Sequence, residues 1–253
     1  MASLLKPYGS ILEAFARLPE PTLITDRPWD ALLILDACRL DLFRSVYPMA
    51  DGIVSPGSTT LSWTRANLVR NPASGALRDT VNVTANPWTS KEHFRSQGWH
   101  YPFAEGINVF DEEWDSTHDT VLPASVEDAA LDALKLGYPR ILVHFVQPHA
   151  PFIGGEPLVT PDDFEGDAAH NVTWRRIRNG RIPRWRALAA YRENLDLVLR
   201  HALRLATKLA GSVVLTSDHG NLFGEYGLYG HPDIRVPELA WVPWLRLNNG
   251  ESQ

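Results

Sequence analysis

The stretch SVVLTSDHGN, from Ser212 to Asn221, decides which fold the sequence predicts. It opens with a continuous, mostly apolar run and ends abruptly in a carboxylate, an imidazole and a glycine. A short continuous run of this kind is typical of a strand buried on both faces, as in a parallel sheet that helices cover on each side. Ligands of such sheets bind at the carboxyl ends of the strands, where Asp218 and His219 stand.

Two other stretches have the same character. Ala31 to Leu35 (ALLIL) and Ile141 to Val146 (ILVHFV) are continuous rather than alternating apolar runs, and both lead into polar residues. Weaker strands are predicted at Thr80 to Ala85 and at Ile107 to Phe110. Several strands of this kind indicate a parallel sheet.

Helices are predicted between the strands. Ser125 is predicted to cap a helix that ends at Gly137, and the stretch from Arg184 to Leu209 repeats apolar residues at helical spacing before Gly211. Strands that alternate with helices predict an α/β fold, here a three-layer α/β/α sandwich with a mostly parallel central sheet. The length of 253 residues is consistent with a single domain over residues 1–253.

Composition limits the classes of function. The formal net charge of −6 argues against a nucleic acid partner, and the single cysteine, Cys38, excludes an internal disulfide framework. No stretch contains the roughly 18–20 apolar residues that span a bilayer. The N-terminal residues lack the pattern of a secretory signal, so we expect a cytoplasmic protein without a membrane span.

A long loop of the active site is predicted at about residues 147–183. This stretch is rich in proline, glycine and aspartate, and loops of such length in a compact domain are usually functional. The arginines of this stretch and of the helix start that follows it fit two alternatives equally, a solvated basic loop and helix start or a surface that guides anions. These arginines are Arg175, Arg176, Arg178, Arg181, Arg184 and Arg186.

Polar residues accompany three of the predicted strands. Asp36 ends the first, His144 and His149 lie in and after the second, and Asp218 and His219 end the third. Since the carboxyl ends of parallel strands meet at one edge of a sheet, these side chains are expected to converge there, and they suit zinc, manganese or a related divalent ion. Taken singly, each has an ordinary alternative, because such an aspartate often caps a helix and such a histidine often belongs to the core.

The segment SPGSTTLSW, from Ser55 to Trp63, carries the hydroxyl groups that ester transfer would need. After a proline–glycine turn, Ser58, Thr59 and Thr60 stand at the start of a helix predicted to run to about Val69. The positive end of a helix dipole would stabilise an ionised hydroxyl and the anion under attack. The alternative is an ordinary N-cap, in which a side-chain oxygen satisfies a backbone N–H group.

These motifs resemble those of the alkaline phosphatase and sulfatase superfamily. LILDACRLD resembles the first strand of the superfamily, HFVQPHAPF its H-x4-H-x-P element, and TSDHGNLFGEYGLYGHP the SDHG segment of sulfatases and lipid headgroup phosphotransferases. GSTTLSW occupies the place of the nucleophile, and TANPW is similar to a motif of short sulfatase-like proteins of the archaeal type. The likeness runs from about Asp30 to Leu247.

The resemblance implies a metal set and a threonine nucleophile. The residues that match the metal set are Asp36, Thr59, Asp218 and His219. Thr59 also matches the nucleophile, and we prefer it to Thr60 because its spacing to Ser62 resembles the phosphotransferase pattern.

The resemblance also implies contacts with the substrate. His149 and His231 match residues that bind the anionic group of the substrate, protonate the leaving group or ligate a second metal. His144, Arg39 and Thr60 are further candidates for contacts with the substrate.

Three features depart from the superfamily pattern. No C-x-P-S-R or S-x-P-S-R sequence is present, so the formylglycine nucleophile of true sulfatases cannot form, and phosphate is favoured over sulfate. Ala37 follows Asp36 where sulfatases have a second aspartate, and Phe145 stands where two-metal members have another. We therefore expect one divalent ion rather than two, with zinc first and manganese, magnesium or calcium as alternatives.

The resemblance thus implies a metal-dependent hydrolase or transferase that acts on a phosphate mono- or diester through a phospho-threonine intermediate. A sulfate ester hydrolase and a non-catalytic metal- or anion-binding protein of the same fold are the alternatives. The expected partner is a small-molecule, glycan or lipid-headgroup ester. Trp63, Trp88 and Trp99, expected near the mouth of the site, would suit an apolar or sugar-bearing substrate.

Overall fold

A computed structural model of the chain describes residues 18–248. The strands are β1 (Ala31–Leu35), β2 (Asp51–Val54), β3 (Thr80–Thr84), β4 (Glu105–Asn108), β5 (Trp114–Asp115), β6 (Thr120–Val121), β7 (Arg140–Phe145), β8 (Ser212–Thr216), β9 (Leu222–Phe223), β10 (Tyr229–Gly230) and β11 (Trp241–Asn248). The α-helices are α1 (Leu40–Phe43), α2 (Thr60–Thr64), α3 (Lys91–Ser96), α4 (Pro123–Ala133), α5 (Ala169–Arg178), α6 (Arg184–Ala206) and α7 (Pro237–Ala240). Within residues 18–248, every helix is too short or too polar to cross a membrane.

Seven strands form the central sheet, in the order β2-β11-β8-β1-β7-β3-β4. The strands from β8 to β4 in this order are parallel, whereas β11 runs antiparallel to both of its neighbours. The prediction of a mostly parallel central sheet is therefore confirmed. Because β8, β1 and β7 are neighbours, the segments that follow them emerge side by side at one edge of the sheet.

Side chains of β1 alternate between two hydrophobic cores. Leu33 and Leu35 pack into a core that includes residues of α4 and α6. Leu32 and Ile34 pack on the other face of the sheet, against a core that includes Trp63 of α2. Helices thus cover both faces, as the three-layer prediction requires, and burial of each such leucine or isoleucine stabilises the fold by roughly 1.5–3 kcal/mol.

The predicted element boundaries agree with the structure to within a few residues. The runs at 31–35 and 212–216 are strands over those residues, and the run at 141–146 is displaced by one residue. The prediction that Ser125 caps a helix is wrong, because α4 begins at Pro123, a residue that needs no backbone N–H partner in the first turn. Gly137 does end this helical segment, in the left-handed conformation with φ 73°.

The segment predicted as a long loop, residues 147–183, contains the helix α5 and a short 3₁₀ turn at Pro161–Asp163. Its buried residues Ala169, Val172, Thr173 and Ile177 recur at helical spacing. The arginine, asparagine and histidine residues that lie between these positions make the segment look polar overall, so its composition does not indicate a helix. The loop prediction is therefore wrong over residues 169–178.

Candidate metal centre and active site

Three predicted metal ligands come together where β1 and β8 end. Asp36 follows β1 directly, and Asp218 and His219 follow β8 after one serine. All three are buried, and one ligand atom from each lies within 4.8 Å of the others. The direct pairing of β1 with β8 accounts for this convergence.

Backbone groups fix the Asp218 carboxylate. Its Oδ1 atom accepts hydrogen bonds from the N–H groups of Ala37, at 3.0 Å, and His219, at 2.9 Å. Ala37 adopts a φ of 59°, in the left-handed region that is unfavourable for a residue with a β-carbon, and the bond to Asp218 helps to hold it there. The other carboxylate oxygen, Oδ2, is thereby directed to the centre of the site.

The His219 ring is oriented to bind a cation through Nε2. Its Nδ1 lies 2.8 Å from the carbonyl oxygen of Gly220, which only accepts hydrogen bonds, so Nδ1 carries the proton. In the neutral ring, the lone pair is then on Nε2, which lies 3.6 Å from Asp36 Oδ1 and 3.5 Å from Asp218 Oδ2. A histidine that donates its other N–H to a backbone carbonyl is the arrangement that metal-binding histidines favour.

Thr60 places its hydroxyl group inside this cluster. The hydroxyl donates a hydrogen bond of 2.6 Å to Asp218 Oδ2, and its oxygen lies 3.4 Å from Asp36 Oδ2 and 3.5 Å from His219 Nε2. Thr60 is only 5% exposed. Its oxygen is thus close to all three of the converging ligands.

Thr59, in contrast, caps α2. Its hydroxyl oxygen accepts a hydrogen bond from the N–H of Ser62 at 3.1 Å, and the Ser62 hydroxyl accepts one from the N–H of Thr59 at 3.0 Å. This reciprocal pair is a capping box. Within residues 18–248, no hydrogen bond joins the Thr59 side chain to the carboxylates, so the ordinary N-cap alternative describes Thr59 and the structure does not bring it to the cluster.

The two carboxylates are electrostatically unequal. Burial, followed by the neighbouring charge of Asp218, raises the pKa of Asp36 well above its usual range. Burial opposes ionisation of Asp218 as well, but His219 and His144 nearby hold the pKa of Asp218 below its usual value. Two buried carboxylates in one site repel each other unless a proton or a cation lies between them.

Several polar atoms of the site fit a divalent cation. Asp36 Oδ1 and both ring nitrogens of His144 are buried and have no hydrogen-bond partner within residues 18–248. Buried polar groups are normally satisfied, so the unpartnered acceptors among them, Asp36 Oδ1 and one nitrogen of the His144 ring, indicate a missing positive charge. Oxygen and imidazole donors are the ligands that zinc and manganese accept.

His144 lies deeper in the same site. It is fully buried in β7, with Nε2 3.7 Å from Asp36 Oδ2 and 3.8 Å from Asp218 Oδ2. These distances are too long for hydrogen bonds. Burial lowers the pKa of His144 to about 4, so the ring is neutral at pH 7. A neutral imidazole at this depth has the chemistry of a further ligand for a cation.

The low pKa of His144 predicts how the metal-free protein responds to acid. The folded state cannot protonate His144 until pH about 4, whereas the unfolded state takes up the proton near pH 6.5. The contribution of neutral His144 to the free energy of unfolding is thus fully present above pH 6.5 and is lost as the pH falls towards 4. The loss amounts to roughly 2 kcal/mol between pH 7 and pH 5. Denaturant unfolding of chelator-treated protein measures this loss.

Asp36 acts in the opposite sense, because its raised pKa favours the folded state in acid. A comparison with His144→Gln therefore isolates the histidine, and this variant is expected to lose less stability between pH 7 and pH 5 than the parent. An equal loss in the two proteins would contradict the assignment.

His149 and His231 form a pair next to the cluster. Their Nε2 atoms are 2.8 Å apart, and the His231 ring centroid lies 4.6 Å from that of His219. His149 Nδ1 lies 2.5 Å from the carbonyl oxygen of Ala150 and so carries a proton. Burial lowers the pKa of His149 to about 3 and that of His231 well below its usual value, so both rings are neutral.

The proton between the two rings follows from these contacts. Since His149 is protonated on Nδ1, its Nε2 accepts the hydrogen bond and His231 Nε2 donates it. His231 Nδ1 then has a free lone pair, and this atom is buried without a partner. His231 Nδ1 therefore offers a lone pair beside the carboxylate cluster that can accept a proton and pass it on.

Asn86 is a site residue that the sequence interpretation missed. Its side-chain amide donates to Asp36 Oδ2 at 2.6 Å and to the hydroxyl oxygen of Thr60 at 3.2 Å. Asn86 follows β3 within the TANPW motif, so the position of that motif after a strand was the available signal. His170 was also missed, and its ring centroid lies 5.9 Å from that of His149.

Arg39 does not reach the carboxylate cluster. Its guanidinium group bonds Asp41 at 2.7 Å and Glu225 at 2.9 Å, and it also donates to the carbonyl oxygen of Asn221. Two carboxylates therefore neutralise Arg39, and it connects the segments after β1 and β8. The expected contact between Arg39 and the substrate finds no support in its position.

The tryptophans differ in their positions. Trp63 is buried in the core, with its ring centroid 6.3 Å from that of His144, so the expectation that it lies at the mouth is wrong. Trp88 is exposed, and its backbone N–H donates to Asn86 Oδ1. Trp99 is half-buried beside His93.

The structure resembles solved structures of phosphoester enzymes. The soluble domain of lipooligosaccharide phosphoethanolamine transferase A from Neisseria meningitidis matches with a TM-score of 0.56 and 14% identity, over 92% of this chain and 79% of that one. Phosphonate monoester hydrolase of Agrobacterium radiobacter matches with a TM-score of 0.51 and 15% identity, over 88% and 68%. The periplasmic domain of EcEptC from Escherichia coli, a complex with Zn, matches with a TM-score of 0.50 and 12% identity, over 90% and 76%.

No protein-family model and no curated protein matches the sequence. The structural neighbours share the alkaline phosphatase-like α/β fold, and this chain has that fold. The fold that the resemblance implies is therefore confirmed.

Proposed function

We propose that this protein is a metal-dependent enzyme that hydrolyses or transfers a phosphate ester, with Thr60 as its nucleophile. One observation carries the proposal. The Thr60 hydroxyl lies 2.6 Å from Asp218 Oδ2, inside a buried cluster that also contains Asp36 and the unprotonated Nε2 of His219. A hydroxyl held in this way is positioned both to lose its proton and to attack an anionic substrate.

Thr60 replaces Thr59 in this proposal. The sequence favoured Thr59 because of its spacing to Ser62, but that spacing serves the capping box at the start of α2. The Thr60 side chain points to the carboxylates, whereas the hydroxyl of Thr59 is engaged with Ser62.

Asp36, Asp218, His219 and Thr60 would hold the ion, and neutral His144 offers a further donor. When bound, a zinc or manganese ion would lower the pKa of the Thr60 hydroxyl and offset the negative charge of the phosphoryl group. We propose one ion rather than two. Phe145, at the position of the second-site carboxylate, is fully buried in the hydrophobic core, so that position offers no ligand.

Each residue of the site has its own role in the proposed phosphoryl transfer. The Thr60 oxygen forms a bond to phosphorus, its proton passes to Asp218 Oδ2, and the bond from phosphorus to the leaving oxygen breaks. The His149–His231 pair is neutral and gives up no proton of its own; the free lone pair of His231 Nδ1 takes a proton from solvent and passes it to the leaving oxygen. Water or an acceptor alcohol then attacks the phospho-threonine from the same site and releases its proton to solvent through the same nitrogen. The bond from phosphorus to the Thr60 oxygen breaks, and Asp218 returns the proton to Thr60.

The proposed substrate is a phosphate ester of a small molecule, a glycan or a lipid headgroup. Two of the structural neighbours, a phosphoethanolamine transferase and a phosphonate monoester hydrolase, support this class of chemistry. The mildly acidic chain continues to disfavour nucleic acid, and a cytoplasmic location remains part of the proposal.

An ester panel tests the proposed function. Protein loaded with zinc or manganese is assayed on aryl phosphomonoester, phosphodiester and sulfate substrates, before and after chelation and after the metal is restored. We expect hydrolysis of a phosphate ester that chelation abolishes and metal restores, and Thr60→Ala prepared in parallel controls for contaminating phosphatases. Preference for the sulfate ester would support a sulfatase-like enzyme, and full metal occupancy without turnover would support a non-catalytic protein.

A further inference from the structure

A cavity of about 500 Å³ lies beside the histidine pair. One wall is a face of α5, and the other is the segment 229–232, which includes His231. The α5 residues of this wall are His170, Asn171, Trp174, Arg175 and Arg178. Because His231 belongs both to this wall and to the histidine pair, the cavity adjoins the proposed catalytic centre.

Helix geometry explains why these α5 residues share one wall. Positions 170, 174 and 178 are four residues apart, as are positions 171 and 175, and this spacing places them on one side of an α-helix. The buried residues Val172, Thr173 and Ile177 anchor the helix to the rest of the structure. The α5 helix is therefore held in place by its buried face, and Arg175 and Arg178 line the cavity.

The cavity carries an excess of positive charge. No aspartate or glutamate is among the residues that line it, in the part of the chain that the structure describes. Arg175 pairs with Asp167 at 2.7 Å. Arg178 has no carboxylate within ion-pair distance among residues 18–248, so its charge remains available to a ligand.

The lack of an ion pair distinguishes Arg178 from most of the arginines between residues 175 and 186. Arg176 pairs with Asp163, Arg184 with Glu225, and Arg186 with Glu156. Those three side chains support local structure at the surface, as the solvated-loop alternative requires. Arg178 combines an unpaired charge with a position in the cavity wall, and it therefore fits the anion-binding alternative.

Two unpartnered polar atoms border the same cavity. Trp174 is 7% exposed, and its indole N–H has no hydrogen-bond partner within residues 18–248. His231 Nδ1 is also buried without a partner. The indole nitrogen lies over Gly230, where an added β-carbon would be 3.7 Å away. Unsatisfied buried groups are costly, and an oxygen atom of a ligand would satisfy the Trp174 N–H, whereas His231 Nδ1 is an acceptor and needs an O–H or N–H donor.

We propose that this cavity binds a second anionic group of the substrate, on the part remote from the phosphoryl group that Thr60 attacks, and that Arg178 selects for that charge. The inference rests on the proposed function. The planar guanidinium group of Arg178 suits either a carboxylate or a phosphate, which it can bind through two parallel hydrogen bonds. The preferred substrate is therefore an ester that carries a further negative charge.

Binding of unreactive ligands tests this subsite separately from turnover. Metal-loaded protein is titrated calorimetrically with alkylphosphonates and with ω-phosphonocarboxylates and α,ω-bisphosphonates of matched short, medium and long spacers. We expect at least one ligand with a second anionic group to bind about tenfold more tightly than its alkyl counterpart. Arg178→Gln should remove this advantage. Arg181→Gln is the matched control, because Arg181 also lacks a carboxylate partner within residues 18–248 but lines a different cavity.

The outcomes separate the two proposals. Equal affinity for the charged and alkyl ligands, an advantage that survives Arg178→Gln, or no measurable binding of any ligand would overturn the subsite. A preference for the carboxylate or the bisphosphonate series identifies the second anion. If the charged ligands keep their Arg178-dependent advantage while no ester is turned over, the subsite stands and the proposed function fails.

Discussion

Replacement of Thr60 by alanine is expected to lower kcat/KM for phosphate esters by about a thousandfold or more. The reason is that the hydroxyl beside Asp218 and His219 disappears, whereas Asp36, Asp218 and His219 remain to hold the ion. Metal content after dialysis should therefore stay near that of the parent. Steady-state kinetics and elemental analysis of the same preparation provide the measurement.

Thr59→Ala is the matched control for this experiment. It removes the cap of α2, which costs about 1 kcal/mol of stability, but it leaves the oxygen of Thr60 in place. We expect activity within a few-fold of the parent, and Thr60→Ser should keep a substantial part of it. Near-normal activity in Thr60→Ala together with loss in Thr59→Ala would return the nucleophile to the position that the sequence favoured.

Asp218→Asn is expected to weaken metal binding by more than about a hundredfold and to remove activity with it. Asp218 supplies a negative charge at the centre of the cluster, and its Oδ1 atom is fixed by the N–H groups of Ala37 and His219. Asparagine keeps the shape of the side chain but offers no charge to a dication. Competition with a fluorescent chelator measures the change in affinity.

His231→Ala controls for loss of any polar group near the site. His231 pairs with His149 rather than with the carboxylates, so this variant should keep its ion while turnover falls. The parent should hold one ion per chain. Equal metal loss in Asp218→Asn and His231→Ala would place His231 among the ligands, and a stoichiometry of two that drops to one in His149→Ala would contradict the single-ion proposal.

The sheet and its ligand-bearing edge were predictable from local sequence. The runs at 31–35 and 212–216 are apolar throughout because both faces of the parallel strands are buried, and that constraint is visible without any knowledge of distant contacts. Asp36, Asp218 and His219 stand directly after those runs. Their convergence follows once the strands are neighbours in the sheet.

Other features could not be predicted, because they depend on where side chains point in the folded structure rather than on their order along the chain. Helix α5 was missed because its buried residues alternate with arginines that composition assigns to a loop. Asn86 reaches Asp36 only because β3 lies one strand away from β1, across β7. The pairing of His149 with His231 joins residues far apart in the sequence.

By itself, the sequence determined the α/β class, the strands that lead to the candidate ligands and three of the four metal-binding candidates that converge, because burial periodicity and residue type are local properties. Only the tertiary structure distinguished the surroundings of Thr59 from those of Thr60. Thr59 lies just before the first helical residue and turns its side chain back to Ser62, whereas Thr60 directs its side chain to Asp218. Only the tertiary structure showed that Arg178 lines the cavity without an ion-pair partner whereas Arg176 pairs with Asp163, because ion pairs depend on which side chains meet in space.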